Sequence, residues 1–94
     1  DAEREIAVVI PRALELADQH AAEGAAAAVA AAQAELEKVP ELSVDYVALV
    51  DTTTWAEPTA RTRFGKILVA ARVGSTRLID NRDVRLGTPS GLKD

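Results

Sequence analysis

The stretch Ile67-Leu68-Val69-Ala70-Ala71-Arg72-Val73-Gly74-Ser75-Thr76-Arg77-Leu78-Ile79-Asp80-Asn81 decides the fold. It continues a nearly unbroken apolar run from Lys66 to Val73, which suits a central strand covered on at least one face. Gly74-Ser75 supplies a two-residue hairpin turn, because glycine reaches positive φ without a steric cost. Thr76 to Leu86 then reads as the return strand. The hydrophobic pattern shifts around Asp80–Asp83, where a bulge is expected.

Working upstream, Val44, Tyr46, Ala48 and Val50 alternate with Asp45, Val47, Leu49 and Asp51, a period of two that predicts another strand. Its partner in the sheet is left open by the pattern. Thr52 to Gly65 is a connection marked by Thr52-Thr53-Thr54, Pro58 and Gly65. Trp55 within it is expected to fold back as a hydrophobic plug. Gly87 to Asp94 is polar and contains Gly and Pro, so residues 88–94 are expected to form a flexible tail beyond a single domain of residues 1–87.

Residues 1–39 carry a different period. Ile6, Val9, Ile10, Ala13, Leu14 and Leu16-Ala17 recur at helical spacing and form one apolar face. Asp1 and Glu3 lie where a helix N-terminus favours negative charge. Pro11 removes a backbone hydrogen bond and crowds the preceding turn. It therefore predicts a kink near Val8–Ile10 or a helix restarting at Pro11. Gly24 terminates this segment. A second helix follows from about Ala25 to Lys38 and stops before Pro40. Its alanine run, Ala25 to Ala28 and Ala30 to Ala32, combines high helix propensity with small volume and predicts close packing against neighbours.

Two helices followed by three strands predict an α+β fold: a helical layer on one face of a small three-stranded antiparallel sheet. Ile67, Val69, Leu78 and Ile79 are expected to supply the apolar surface that the helices cover.

Composition narrows the chemistry. The 94 residues carry a net charge of −4, with both signs spread along the chain, and no basic stripe to neutralise phosphates. Duplex nucleic acid is therefore not an expected partner. One Phe, one Tyr and one Trp make no base-stacking platform. Absence of Cys excludes disulfides, thiolate metal sites and cysteine nucleophiles. No apolar run is long enough to span a bilayer, so a membrane is not an expected partner either. The chain opens on Asp1 and contains no Met. This leads to the expectation of a processed or excised piece of a longer protein.

No phosphate-cradling glycine motif of the G-x-G-x-x-G or G-x-x-x-x-G-K-[ST] kind is present. His20 is the sole histidine. Glu23, three residues on, lies within helical reach of it, and the pair reads as a surface feature near a helix end. A lone His without Cys gives no standard metal cluster, and no acidic calcium loop is present. Catalytic, cofactor-binding and metal-ligating residues are therefore not assigned. Arg77, Asp80 and Asn81 are the one polar constellation beside a buried-looking strand. Arg77 and Ile79 share one strand face, Leu78 and Asp80 the other. Two readings stand: Asp80 and Asn81 bond the backbone while Arg77 pairs with a carboxylate, or these residues touch another domain or an anionic group. Arg72, which interrupts the apolar run, is a further contact candidate.

As a spelling, "ILVAARVGSTRLIDN" closely resembles the C-terminal domain of the pantothenate synthetase (pantoate–β-alanine ligase) family. "SVDYVALVD" resembles that domain's first strand, and Arg4 and Leu14 fit its opening helix. The resemblance implies a cytoplasmic enzyme of the coenzyme A pathway, dependent on ATP and Mg²⁺. It adenylates pantoate with loss of pyrophosphate; the amine of β-alanine then attacks the adenylate to give pantothenate and AMP. The family's paired-histidine motif belongs to an N-terminal Rossmann-like domain, and its Met-Ser-Ser-Arg-Asn loop is expected just upstream of Asp1. The resemblance thus implies that ATP and Mg²⁺ bind mainly outside this chain, and that the parent is a homodimer. It further implies that this chain is a lid, inactive alone, which closes over its partner domain. A free-standing α+β interaction module without catalysis is the alternative.

Overall fold

The computed structural model describes residues 2–87. The expected tail, 88–94, lies outside the described residues. Helix α1 runs Ala2–His20, a 3-10 turn covers Ala21–Glu23, and helix α2 runs Ala25–Leu36. Strands β1 (Ser43–Asp51), β2 (Phe64–Val73) and β3 (Thr76–Arg85) form an antiparallel sheet in the order β1-β2-β3. The α+β arrangement expected from the sequence is the one observed, and the central strand is the apolar one.

Several local expectations are corrected. Of the kink or restart expected at Pro11, the restart does not occur, since helix α1 is continuous through it; Pro11 lies on the exposed side of the helix, where a freed carbonyl keeps access to water. Helix α2 ends at Leu36, two residues before Lys38. Gly24 separates the helical segments with φ 114° and ψ 169°, a region open essentially only to glycine. The β2–β3 register is unbroken from Phe64↔Arg85 to Val73↔Thr76, so Asp80–Asp83 holds no bulge. The irregularity falls instead in β1, between Val44 and Tyr46. Gly74, at φ 58°, occupies the first position of the two-residue turn between β2 and β3, where hairpin turns favour glycine.

The register sorts the side chains. Directly paired residues of antiparallel strands point to the same face. Ile67, Val69 and Ala71 of β2 therefore share a face with Leu49 of β1 and with Leu78 and Val84 of β3. That face meets the helices. Ile67, Val69 and Leu36 are fully buried, together with Ala13, Ala17, Ala28 and Ala32 of the helices. Small alanines at the helix contact let the backbones approach, as the sequence predicts. Each fully buried Leu, Ile or Val contributes roughly 1.5–3 kcal/mol through removal of apolar surface from water.

Ile79 departs from expectation. It is adjacent to Leu78, so it points to the opposite face and remains 63% exposed. Arg82 of β3 reaches Asp18 of α1, with Nη2 at 2.9 Å and Nε at 3.0 Å from Oδ2. Arg12 of α1 and Lys38 just beyond α2 both reach the buried Glu35, at 3.3 and 2.9 Å. Among the described residues, no helix is long and apolar enough to cross a membrane.

Candidate functional site: the open face of the sheet

One face of the sheet is covered by helices; the other has no covering layer among the described residues. The register places Tyr46 and Ala48 of β1, Leu68 and Ala70 of β2, and Ile79 and Asn81 of β3 on it. Tyr46 is 41% exposed and Phe64, at one end of the same face, 58%. Tyr46, Phe64 and Ile79 thus meet water beside half-buried Ala48 and Leu68 and the buried Ala70, and exposed apolar surface of this kind marks contact sites.

Charge frames this surface. At the hairpin end, Arg72 and Arg77 are paired across β2 and β3. Asp45 bridges them, 3.2 Å from Arg72 Nη2 and 3.5 Å from Arg77 Nε. Asp45 is the residue the β1 bulge inserts, so the bulge turns its carboxylate towards both guanidiniums. At the other end, Lys66 pairs with Asp83 at 3.3 Å, and the Arg85 guanidinium lies 5.8 Å from the Phe64 ring centre. A recess of about 400 Å³ opens there, lined by Thr52, Trp55, Phe64 and Lys66 among others.

Trp55 is not a plug. It is 64% exposed and held at φ 60°, where non-glycine residues are rare. The backbone around it is locked. Trp55 N donates to the Asp51 carbonyl at 2.6 Å, and Asp51 N donates to the Ala56 carbonyl at 2.9 Å. The Asp51 carboxylate accepts from Thr53 N at 2.7 Å, Thr54 N at 3.2 Å and Thr62 Oγ1 at 2.7 Å. The Thr62 hydroxyl bond, followed by the Thr53 amide, holds the Asp51 carboxyl below the ordinary carboxylate range. A charged cap thus fixes the loop and leaves the indole in solvent.

The four candidate contact residues divide. Arg72, Arg77 and Asn81 stand on the open face, and Arg77 has its carboxylate partner in Asp45. Asp80 lies opposite Val69, on the helix side, and its Oδ1 accepts from Asn81 N at 2.8 Å. It edges a separate recess of about 390 Å³ between α1 and β3, with Ile6, Ile10 and Leu78. The constellation is therefore split by the strand pleat, as alternate residues must be. His20 is exposed, its Nδ1 2.9 Å from Glu23 Oε2, the pairing its spacing predicts. Among the described residues, no group of three or more His, Asp or Glu side chains could hold a metal ion.

Sequence reasoning missed Tyr46, Phe64 and Ile79 as surface residues. The legible signal was parity: each shares a face with Arg72 or Arg77 once β2 is taken as the register. It also missed a charge division. Residues 61–85 carry seven Arg and Lys against two Asp, net +5, in a chain of net charge −4.

Comparison with known proteins places this architecture. A family profile described as Pantoate-beta-alanine ligase matches residues 1–83. The pantothenate synthetase of Mycobacterium avium (strain 104) is 47% identical over 90 residues, 95% of this chain and 28% of that protein. That of Nocardioides sp. (strain ATCC BAA-499 / JS614) is 43% identical over 93 residues, again 95% of this chain and 28% of the relative. A crystal structure of pantothenate synthetase from Thermus thermophilus superposes with a TM-score of 0.74 at 34% identity, covering 85% of this chain and 30% of that one. The chain therefore spans 28% of the length of these curated relatives. A family profile over residues 1–83, relatives up to 47% identical over 95% of the chain and the shared fold establish that the chain belongs to the pantoate–β-alanine ligase family, the pantothenate synthetases.

Proposed function

We propose that this chain is the C-terminal lid domain, residues 1–87, of a pantothenate synthetase whose full-length form condenses pantoate with β-alanine at the expense of ATP. In that reaction pantoate is first adenylated with loss of pyrophosphate, and the β-alanine amine then displaces AMP. The sequence has no glycine-rich phosphate motif, and the family resemblance places ATP and Mg²⁺ mainly outside this chain. Both are accordingly assigned to an N-terminal Rossmann-like domain of the same polypeptide, in a cytoplasmic homodimer. The part played by this chain is mechanical. Closure over the partner domain excludes water, which would otherwise hydrolyse a reactive acyl adenylate.

The observation that carries this reading is the one-sided sheet. A helical layer backs one face, and the other, partly apolar and framed by charge, is uncovered among the described residues. Such a face suits a part that covers another part. The test is AMP release with pantoate, β-alanine and ATP, using the 94-residue chain and the full-length protein side by side. Turnover is expected only from the latter. Turnover by the chain alone, dependent on both pantoate and β-alanine, would overturn the lid reading. A full-length protein that releases no AMP would overturn the parent activity.

A further inference from the structure

We infer that Asp80 keeps the free edge of the sheet from taking up another strand. β3 is an outer strand in the order β1-β2-β3, so one side of its backbone has no neighbour in the sheet. Val73 and Thr76 close a two-residue turn and therefore exchange hydrogen bonds with each other. From there the ladder alternates. Even-numbered residues from Thr76 to Val84 direct their amides and carbonyls inward to β2, and odd-numbered residues from Arg77 to Arg85 direct theirs outward. Among the described residues, no backbone group from outside the sheet bonds to those outward positions.

Such an edge is a template for pairing. It runs ten residues, Thr76–Arg85, in unbroken register and without proline, so it lacks the bulge or the proline that commonly spoils an edge. The other outer strand shows the contrast. β1 carries its bulge at Asp45, and the Asp51 amide is taken by the Ala56 carbonyl at 2.9 Å. The same alternation leaves only Val47 and Leu49 facing outward between these two points, and so short an edge is a poor template.

On β3 a side chain takes the place of a bulge. Asp80 Oδ1 accepts from the Asn81 amide at 2.8 Å. Asn81 is the middle member of the outward set, so the amide that an incoming strand needs at the centre of the edge is already bonded. A carboxylate oxygen stands where that strand's carbonyl would have to sit. Pairing there would break a charge-assisted hydrogen bond and bring a carbonyl dipole against a negative charge. Charged side chains on edge strands serve this purpose in many sheets. This role also accounts for the position of Asp80 on the helix side, apart from Arg72, Arg77 and Asn81.

The experiment combines amide hydrogen exchange with sedimentation velocity on the full-length protein. In the unaltered protein the Asn81 amide is expected to exchange several-fold more slowly than those of Ile79 and Asp83, which point the same way. Asp80→Ala is expected to remove that difference in dilute protein. At higher concentration it is expected to form species heavier than the parent's, in which all three amides become protected. Asp83→Ala removes the same charge from β3 but leaves the cap, and is expected to sediment as the parent does. Three outward amides that exchange alike in the unaltered protein would overturn the inference: alike and fast, the cap does not hold; alike and slow, another segment already lies on the edge. That measurement needs no variant, so it decides even where Asp80→Ala does not fold. Asp80→Ala sedimenting like the parent, or Asp83→Ala associating equally, would also overturn it. So would association that leaves the outward amides unprotected, the mark of unfolding and not of pairing.

Discussion

Gly87 lies so close to Ala22 that a side chain cannot fit between them: a Cβ on Gly87 would overlap the Ala22 carbonyl. The contact is held by a hydrogen bond from Gly87 N to the Ala21 carbonyl, 3.0 Å. Leu86 N bonds the Arg63 carbonyl beside it at 2.7 Å. The exit of β3 is thereby tied to the turn between the two helices, closing the helical layer onto the sheet at one end. Gly87→Ala should force these backbones apart and cost about 1–3 kcal/mol, the usual range for overpacking. Urea denaturation measures it, and an unchanged midpoint would show that the helix turn yields freely.

Val69 and Ile79 separate the two faces of the sheet. Val69 is fully buried and Ile79 is 63% exposed. Val69→Asp buries an unpaired charge and should abolish cooperative folding. Ile79→Asp should leave the melting temperature of this chain close to that of the parent sequence. Circular dichroism melts of the two variants decide the assignment of faces; equal damage from both would contradict the register.

Glu35 is 7% exposed yet charged, with exposed Arg12 and Lys38 reaching it from outside. Desolvation offsets much of such an attraction. Glu35→Leu should therefore be neutral or stabilising, by up to about 1–4 kcal/mol. Removing both cations in Arg12→Ala/Lys38→Ala should destabilise, since it strands the carboxylate. Chemical denaturation of the two variants should place their midpoints on opposite sides of the parent's, or Glu35→Leu level with it. The reverse order would show that the ion pairs hold the helices together.

Asp51 sets a pH dependence. Its carboxyl is held below its ordinary range, chiefly by the Thr62 hydroxyl. A group depressed in the folded state stabilises fully above the pKa it has in the unfolded chain, and that contribution is lost as pH falls through the folded pKa. The loop should therefore loosen only in acid, below the range in which free carboxylates titrate. Trp55, the sole tryptophan, reports this by fluorescence. Thr62→Val should move the transition to higher pH, and a transition unmoved by that change would rule out the hydroxyl as its cause.

Asp45 bridges Arg72 and Arg77, whose side chains are more than half exposed. Exposed ion pairs contribute little, so Asp45→Asn should cost no more than about 1 kcal/mol, and less at high salt. A larger loss at high salt would mean that the bulge itself depends on the carboxylate.

The elements of this protein were legible in its sequence because they rest on local physics. Alanine runs favour helix, the period of two between Val44 and Val50 favours strand, and Gly74 permits the turn. The family was legible too, in the hairpin spelled from Ile67 to Asn81. The open face was legible only in part. Arg72, Arg77 and Asn81 do stand on it, but Asp80 does not; parity sets Tyr46 and Phe64 beside the arginines only once the strand register is known, and nothing in the pattern puts Trp55 in solvent. Leu78 and Ile79 show why. Both are apolar and adjacent, so the pattern alone cannot say which of them faces the helices. That choice is made by hydrogen bonding to β2, which sets Ala71 opposite Leu78 and Ala70 opposite Ile79. The bulge at Asp45 was likewise invisible, since it is a shift in the pairing of β1 with β2 and not a property of β1 alone. Trp55 was misplaced for the same reason: its apolarity argued for the core, whereas the Asp51 carboxylate, braced by Thr62 from eleven residues away, holds the loop outward. Sequence fixes what each segment prefers; only the pairing of distant segments decides which side of a strand meets water.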